Sequence, residues 1–441
     1  MADTVDVSAD KVQRSRGWAV PFFAIWTGQV FSLVGSRVLE FALVWWLTEL
    51  TGSATILATS TLTMVLPQVI LGPILGAYVD RWNRRLVMML ADSFVALFAA
   101  WLAYLFWTGD IQIWHVYVAM GMRSIGGCFH WPAMQASTAM MVPDRHLSRV
   151  AGLNQTMNGA LNIVGPSLGA LLLMVLPFHD IMLMDVLTAL IAVSPLFFVS
   201  VPQPEGARDV RQSILTDVKA GLRYVWRWPG LLAVILMAMT LNFIMNPAFS
   251  LMPLLITDHF GGGALQLGWM ESSWGAGLVL GGLLLSLWGG FKRRVYTSLI
   301  GLIIEGLGVT AVGLAPASGL WLALGGMFVA GMMNAFVNGP FFAVLQANVA
   351  REMQGRVFTL VGSVSAAAWP LSLMVAGPIA DAVGVRPWYA VGGLICAAIG
   401  LGACFVPVIV GLEDNRSGDS AADARPEGAA CGETRAGGGG L

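Results

Sequence analysis

Gly76-Ala77-Tyr78-Val79-Asp80-Arg81-Trp82-Asn83-Arg84-Arg85 separates two long apolar runs with a tight basic turn. The runs on either side, near 55-78 and 86-107, each have the roughly 20 mainly apolar residues a helix needs to cross a bilayer. Gly76 follows Gly72 by four residues, a spacing that lets helix backbones approach closely. Asp80 can accept backbone hydrogens at the N-terminus of a neighbouring helix. Arg81, Arg84 and Arg85 fix the orientation of the turn and meet anionic lipid. The stretch reads as a turn between two membrane-spanning helices.

The rest of the chain repeats that form. Further apolar runs lie near 20-47, 112-141, 150-176, 181-201, 230-256, 266-290, 295-315, 319-346, 357-382 and 388-411, which makes twelve in all. With 57% hydrophobic against 11% charged residues and a mean hydropathy of +0.74, the 441-residue chain is excluded from the soluble class. A net charge of -1 gives no overall attraction to nucleic acid. Cys128, Cys396, Cys404 and Cys431 form no CxxC pair, so neither a disulfide framework nor a zinc site is implied. Residues 1-17 are polar and carry Lys11, Arg14 and Arg16, unlike a secretory leader.

Basic loops stay in the cytoplasm, and 21 of the 24 Lys and Arg fall in the N-terminus, the even-to-odd loops (2-3 through 10-11) or the tail. Arg386 alone lies in an opposite loop, and Arg37 and Arg123 fall inside spans. The alternation predicts an all-α integral membrane protein with both termini cytoplasmic. Its expected parts are an N-terminal segment 1-17, six-helix bundles over 18-201 and 229-411, a linker 202-228, and a disordered cytoplasmic tail 412-441. The linker can be a solvated connection or, from the spacing of Ile214, Val218, Leu222 and Val225, a surface amphipathic helix. The halves share landmarks. Gly76 and Gly289 lie 213 residues apart, Gly165-Pro166 and Gly377-Pro378 lie 212 apart, and Ala54 and Ala264 lie 210 apart, as duplication requires.

Catalytic and nucleotide signatures do not fit. Gly165-Pro166-Ser167-Leu168-Gly169 has the GxSxG pattern, but a nucleophile elbow needs a strand-to-helix turn and this stretch lies in an apolar helical run. The five histidines show no paired metal-ligand spacing, and there is no phosphate-binding GxxxxGK[ST] loop. Uphill transport would therefore have to draw on an ion gradient, with no cofactor and no metal.

The turn at 76-85 resembles the signature between helices 2 and 3 of the major facilitator superfamily, with Asn83 in place of the usual glycine, a change that asparagine's tolerance of left-handed backbone angles makes mild. Arg123 with Gly127 resembles that family's second motif. The stretch from Gly159 to Ala170, with Gly165, Pro166 and Gly169, is similar to its antiporter-type motif in helix 5. Gly28-Gln29 onward to Thr48, Pro67-Gln68 onward to Arg81, and Arg123 to His130 resemble the bacterial macrolide-efflux branch of the drug:proton antiporters. The resemblance implies two pseudo-symmetric six-helix bundles, alternating access, and export of a small amphipathic substrate in exchange for protons across the plasma membrane by a monomer. Export of an endogenous metabolite or siderophore, nutrient import, and a membrane sensor remain alternatives.

It also implies that helices 1, 4, 7 and 10 surround the cavity. Gln29, Ser32, Ser36 and Glu40 share one helical face, and Arg123, Gly127, His130 and Met134 share another. Asn242 with Asn246, and Asn334 with Asn338, repeat a four-residue spacing in helices expected at the cavity. In-membrane charges are costly and are functional candidates. Glu40, with Arg37 three residues before it, is the leading proton carrier, followed by Glu271. Arg123 is a movable counter-ion, and His130 is either a proton-handling group or a buried hydrogen-bonded side chain. Asp92, Asp185 and Glu305, on helices expected outside the cavity, read as structural. Asp80, with Gly76, Arg81, Arg84 and Arg85, is expected to latch onto the start of helix 11 near Gln354 to Arg356.

Overall fold

The computed structural model describes residues 17–79, 82–201, 223, 225–226, 228–349 and 351–411. Twelve long helices follow in order: α1 (Ala19–Thr51), α2 (Ala54–Val79), α3 (Arg84–Thr108), α4 (Ile113–Met141), α5 (Asp144–Val175), α6 (Phe178–Phe198), α7 (Pro229–Leu254), α8 (Ala264–Trp288), α9 (Arg294–Leu314), α10 (Leu320–Asn348), α11 (Arg351–Val383) and α12 (Arg386–Ala403). A short α13 (Pro407–Val410) follows. Ten of them contain segments long and apolar enough to cross a membrane on their own. The other two are α4, which carries His115, Arg123 and His130, and the 18-residue α12, which begins with Arg386.

Local chemistry sets the helix ends. Gly109 and Gly289 close α3 and α8 at φ values of 80° and 79°, a left-handed region that glycine enters without steric cost. Asn83 takes a different role from the one its sequence context suggests. It has extended backbone at φ -65°, and its side chain accepts the Leu86 N–H at 3.2 Å, capping α3. In α7, Pro253 precedes a π-helical turn, Leu255–His259, where the backbone pattern widens as it often does beside a proline-disrupted ladder.

Packing is two-fold. In the first half α1 packs on α5 and α6, α3 on α4 and α6, and α2 on α4. In the second half α7 packs on α11 and α12, α9 on α10 and α12, and α8 on α10. Each pairing maps onto its counterpart by a shift of six helices, so the landmark repeats in the sequence correspond to two pseudo-symmetric bundles. The bundles meet where α2 packs on α11 and α5 on α8. Large apolar side chains such as Val175, Phe198, Leu287 and Trp321 are exposed on this assembly, as suits a surface whose solvent is lipid.

Glycine seams hold the bundles together. Gly277 and Gly281 of α8 lie against the backbone of Phe328 and Met332 in α10, while Gly331 of α10 lies against Trp274 of α8. In α5, a side chain at Gly165 would meet Arg37 Cβ at 3.0 Å, and one at Gly169 would meet Phe41 Cδ1 at 2.9 Å. Without a hydrophobic drive in lipid, such close backbone contact supplies dispersion and helix association. The GxSxG serine lies inside α5, where Ser167 Oγ is 2.8 Å from Ser272 Oγ across the bundle interface.

Candidate transport cavity

The first bundle encloses a polar cavity of about 210 Å3 lined chiefly by α1 and α4. Gln29, Ser32, Ser36 and Glu40 come from α1, and Arg123, Gly127 and His130 from α4, because residues three and four apart on a helix share a face. Leu33, Leu39, Leu43, Met64 and Met120 supply apolar wall. Met134 lies next door, in a smaller cleft with Trp26, Trp131, Gln135, Thr138, Asn154 and Met157. Trp26 Nε1 donates to Asn154 Oδ1 there at 2.8 Å.

Two charged networks cross this region. Arg123 Nη1 contacts Asp185 Oδ2 at 2.6 Å, and Nη2 donates to Ser36 Oγ at 3.1 Å. Ser36 in turn donates to Asp185 Oδ1 at 3.0 Å, which ties α1, α4 and α6 together. Buried charges persist when they are paired and hydrogen-bonded in this way. In the second network, Gln29 Nε2 donates to Asp92 Oδ2 at 2.9 Å, and His130 Nε2 lies 3.4 Å from Asp92 Oδ1.

These contacts correct the expectation that the charge on the third helix lies away from the cavity. Asp92 lines it, and Asp185 is held by Arg123, which also lines it. Helix α3 turns one stripe, with Asp92 and Val95, toward the cavity, while Asp185 of α6 stays behind its wall as the partner of Arg123. Glu305 of α9 is buried and accepts from Asn334 Nδ2 at 2.9 Å. Asn334 is thereby engaged within its own bundle, and Asn338 Nδ2 donates back to it at 3.0 Å. Asn246 Nδ2 likewise donates to Asn242 Oδ1 at 3.3 Å, and neither lines the polar cavity. Each pair thus spends its amide groups along its own helix or on α9.

Arg37 Nη1 is 3.3 Å from Glu40 Oε2, an i,i+3 pair whose arginine is half exposed. The Arg37 stem packs on Gly165 of α5, and Glu271 of α8 interacts electrostatically with both Glu40 and Arg37. Glu271 thus lies within electrostatic reach of the Arg37–Glu40 pair. Asp80 and Arg81 lie outside the described residues, as do most of the 202-228 linker, residues 1-16 and the tail. Gly76 lies in α2 near its end. Arg84 Nη1 donates to the Ala136 carbonyl of α4 at 3.4 Å, and Arg85 Nη2 donates to Phe197 O at the end of α6 at 2.7 Å. Arg85 therefore serves a C-terminal carbonyl of its own bundle. A Cβ at Gly159 would meet Val279 Cγ2 of α8 at 3.2 Å, and Pro166 lies within α5.

Sequence reasoning missed a contact at the opposite end of the molecule. Asp381, near the end of α11, accepts from the backbone N–H of Ala54 at 2.6 Å and of Thr55 at 3.0 Å, and from Ser53 Oγ at 3.1 Å. It caps α2 across the bundle interface.

A twelve-helix, two-fold arrangement with a polar cavity in its first bundle suits a membrane transporter, and the chain belongs to the Major Facilitator Superfamily, whose sequence profile matches residues 25–373. It is a multi-pass transporter and not an enzyme. Among its relatives, Macrolide efflux protein A of Streptococcus pyogenes is 32% identical over 391 residues, covering 88% of this chain and 96% of that protein. Multidrug efflux pump Tap of Mycolicibacterium fortuitum is 28% identical over 392 residues, covering 85% and 92%. Among solved structures, a bacterial homolog of the human lysosomal transporter Spinster, inward-facing and unoccupied, matches with a TM-score of 0.67 at 14% identity, covering 91% of this chain and 96% of that one. A POT family transporter in complex with 5-aminolevulinic acid gives a TM-score of 0.68 at 12% identity, covering 90% and 97%. At those identities the likeness is one of fold.

Proposed function

We propose that this protein exports amphipathic, macrolide-like drugs across the bacterial plasma membrane in exchange for protons, by alternating access and as a monomer with cytoplasmic termini. The observation that carries this reading is the cavity itself, in which Glu40, Arg123 and His130 stand beside an aliphatic wall of leucine and methionine. Such a surface suits a molecule with a large apolar body and a basic group. The efflux relatives support the same direction of transport.

At about 210 Å3 the cavity is smaller than the roughly 300–1,000 Å3 of drug-sized sites. Substrate loading therefore needs the bundles to part further. The hydrogen bonds between bundles among the described residues, from the start of α2 to Asp381 and between Ser272 and Ser167 or Ile163 O, lie in the half away from the basic turns. That pattern supports an outer side that is closed. Glu40 is the leading proton carrier, with Arg37 as its counter-charge and Glu271 as a second carboxylate facing the pair from the other bundle.

The test is accumulation of chemically varied drugs in a pump-deficient bacterium expressing the chain, with and without a protonophore. Lower macrolide accumulation that the protonophore abolishes is the expected result. Extrusion insensitive to the protonophore would remove proton coupling.

A further inference from the structure

Asp92 and His130 stand where two spaces meet. Gln29, Leu33 and His130 line both the polar cavity and the smaller cleft beside it. That cleft is built from the early part of α1 (Trp26), the late part of α4 (Thr138) and the early part of α5 (Asn154), which are the ends next to the basic loops. His130 is therefore part of the partition between the cavity and that end of the molecule.

The pair is also chemically incomplete. His130 Nε2 is buried without a hydrogen-bond partner, although Asp92 Oδ1 lies only 3.4 Å away. The separation is within ion-pair range, but the geometry falls short of a hydrogen bond. A buried ring nitrogen left in this way costs free energy. A proton held between the two groups, with a small turn of the ring, would supply the missing bond. Asp92 Oδ2 is already fixed by Gln29, so Oδ1 is the oxygen free to take part.

We infer that Asp92 and His130 form a proton-binding relay that delivers the exchanged proton from the cavity to the cytoplasmic cleft. The inference rests on the proton-coupled export reading and assigns part of its path. With the cavity open outward, Asp92 Oδ1 takes a proton from hydronium, forming an O–H bond and leaving water. With the cavity open inward, that O–H bond breaks and the proton passes to His130 Nε2, giving a carboxylate and an imidazolium. The imidazolium then gives one proton to water in the cleft and returns to neutral imidazole.

The other charged groups here are few. Glu40 of α1 and Arg123 of α4 line the same cavity, and Asp185 of α6 is engaged by Arg123. The α2 contribution, Met64 and Gln68, is uncharged. Asp92 thus has His130 as its nearest ionisable partner, while Arg123 is occupied by Asp185.

The full chain reconstituted in phospholipid vesicles, with radiolabelled erythromycin as probe, separates this inference from the reading beneath it. Wild-type protein should accumulate erythromycin under an imposed pH gradient, and its failure to do so would overturn proton-coupled export and the relay together. Given wild-type accumulation, Asp92→Asn should lower the gradient-driven component by about tenfold or more, as loss of a proton-transfer group does, while erythromycin counterflow without a gradient persists. His130→Gln should flatten the pH dependence of the driven rate, and Asp92→Glu should restore driven transport with a displaced pH profile. If Asp92→Asn fails to insert, His130→Gln and Asp92→Glu decide the matter on their pH profiles. Wild-type driven rates and an unchanged pH profile in the variants that insert would overturn the relay.

Discussion

Asp381 accepts the Ala54 backbone N–H at 2.6 Å, so a carboxylate from the second bundle caps the first turn of a helix in the first. The free N–H groups of that turn carry partial positive charge, and Asp381 meets two of them together with the Ser53 hydroxyl. Gly377, one turn earlier in α11, lets the helices close to 2.9 Å between its virtual Cβ and Thr55 Cα. The contact can form only while the two bundles are together at this end.

Asp381→Ala should therefore shift the conformational equilibrium toward separation at this end. The site is exposed, so screening limits the effect to about 1 kcal/mol, or roughly a fivefold change in population. Spin labels at Thr51 and Val383 would report it as a larger share of long distances in electron-spin distance measurements. An unchanged distribution would reduce the cap to a local packing detail.

Arg123 and Asp185 should behave as a buried pair. Asp185→Asn leaves the guanidinium with Ser36 and the Val95 carbonyl as its remaining partners. Stranding a buried charge costs about 3–5 kcal/mol, whereas removing both charges is often neutral. Thermal unfolding in detergent should show a large loss for Asp185→Asn and substantial recovery for Arg123→Met with Asp185→Leu. If the double variant is as unstable as the single one, packing volume and not charge sets the cost.

These two networks mark where the sequence could be read and where it could not. Twelve apolar runs translate directly into twelve helices, because bilayer thickness fixes a minimum apolar length, and the helices extend past several predicted ends, as α1 does from 19 to 51. The stripes Gln29–Glu40 and Arg123–His130 were visible because few polar residues break an apolar run, so their phase is unambiguous. Asp92 and Asp185 were legible as costly charges, but their direction was not. A helix that is apolar all round gives no periodicity from which to tell an inward stripe from a lipid-facing one. Asn334 shows the converse, since its polarity suggests cavity wall while Glu305, 29 residues away, takes its amide. Contacts at long separation such as Ser53–Asp381 leave no local trace.

Topology follows from the basic bias and can be checked at two exposed turns. Lys292 lies in the loop between α8 and α9, and Ser318 in the loop between α9 and α10. In a background lacking the native cysteines, Ser318→Cys should react with a membrane-impermeant thiol reagent on intact cells, and Lys292→Cys only after permeabilisation. The opposite labelling would invert the protein in the membrane.

Glu40→Gln keeps the shape of the side chain and removes its charge, leaving Arg37 without its 3.3 Å partner. Because Arg37 is half exposed, the stability cost should be small, within about 1 kcal/mol. Gradient-driven drug transport in vesicles should be abolished while downhill exchange persists. Full driven transport by this variant would eliminate Glu40 as a carrier and move attention to Glu271, the carboxylate that faces it from α8.

The seam between α8 and α10 gives the last prediction. Gly277 and Gly281 are one turn apart on α8, and a Cβ at either would press on backbone atoms of Phe328 or Met332, which cannot rotate away as a flexible side chain would. Gly331 presents the same constraint from α10 toward Trp274. Gly282, next in sequence, has open space where its side chain would be. Helix propensity alone would make glycine-to-alanine favourable by about 1 kcal/mol at each position. The two effects have opposite signs, so the comparison isolates packing. Gly281→Ala should lower the unfolding temperature in detergent, with overpacking costing about 1–3 kcal/mol, while Gly282→Ala should leave it unchanged or raise it. Equal responses at the two positions would mean that α8 and α10 can slide apart freely, and that the seam does not hold the second bundle.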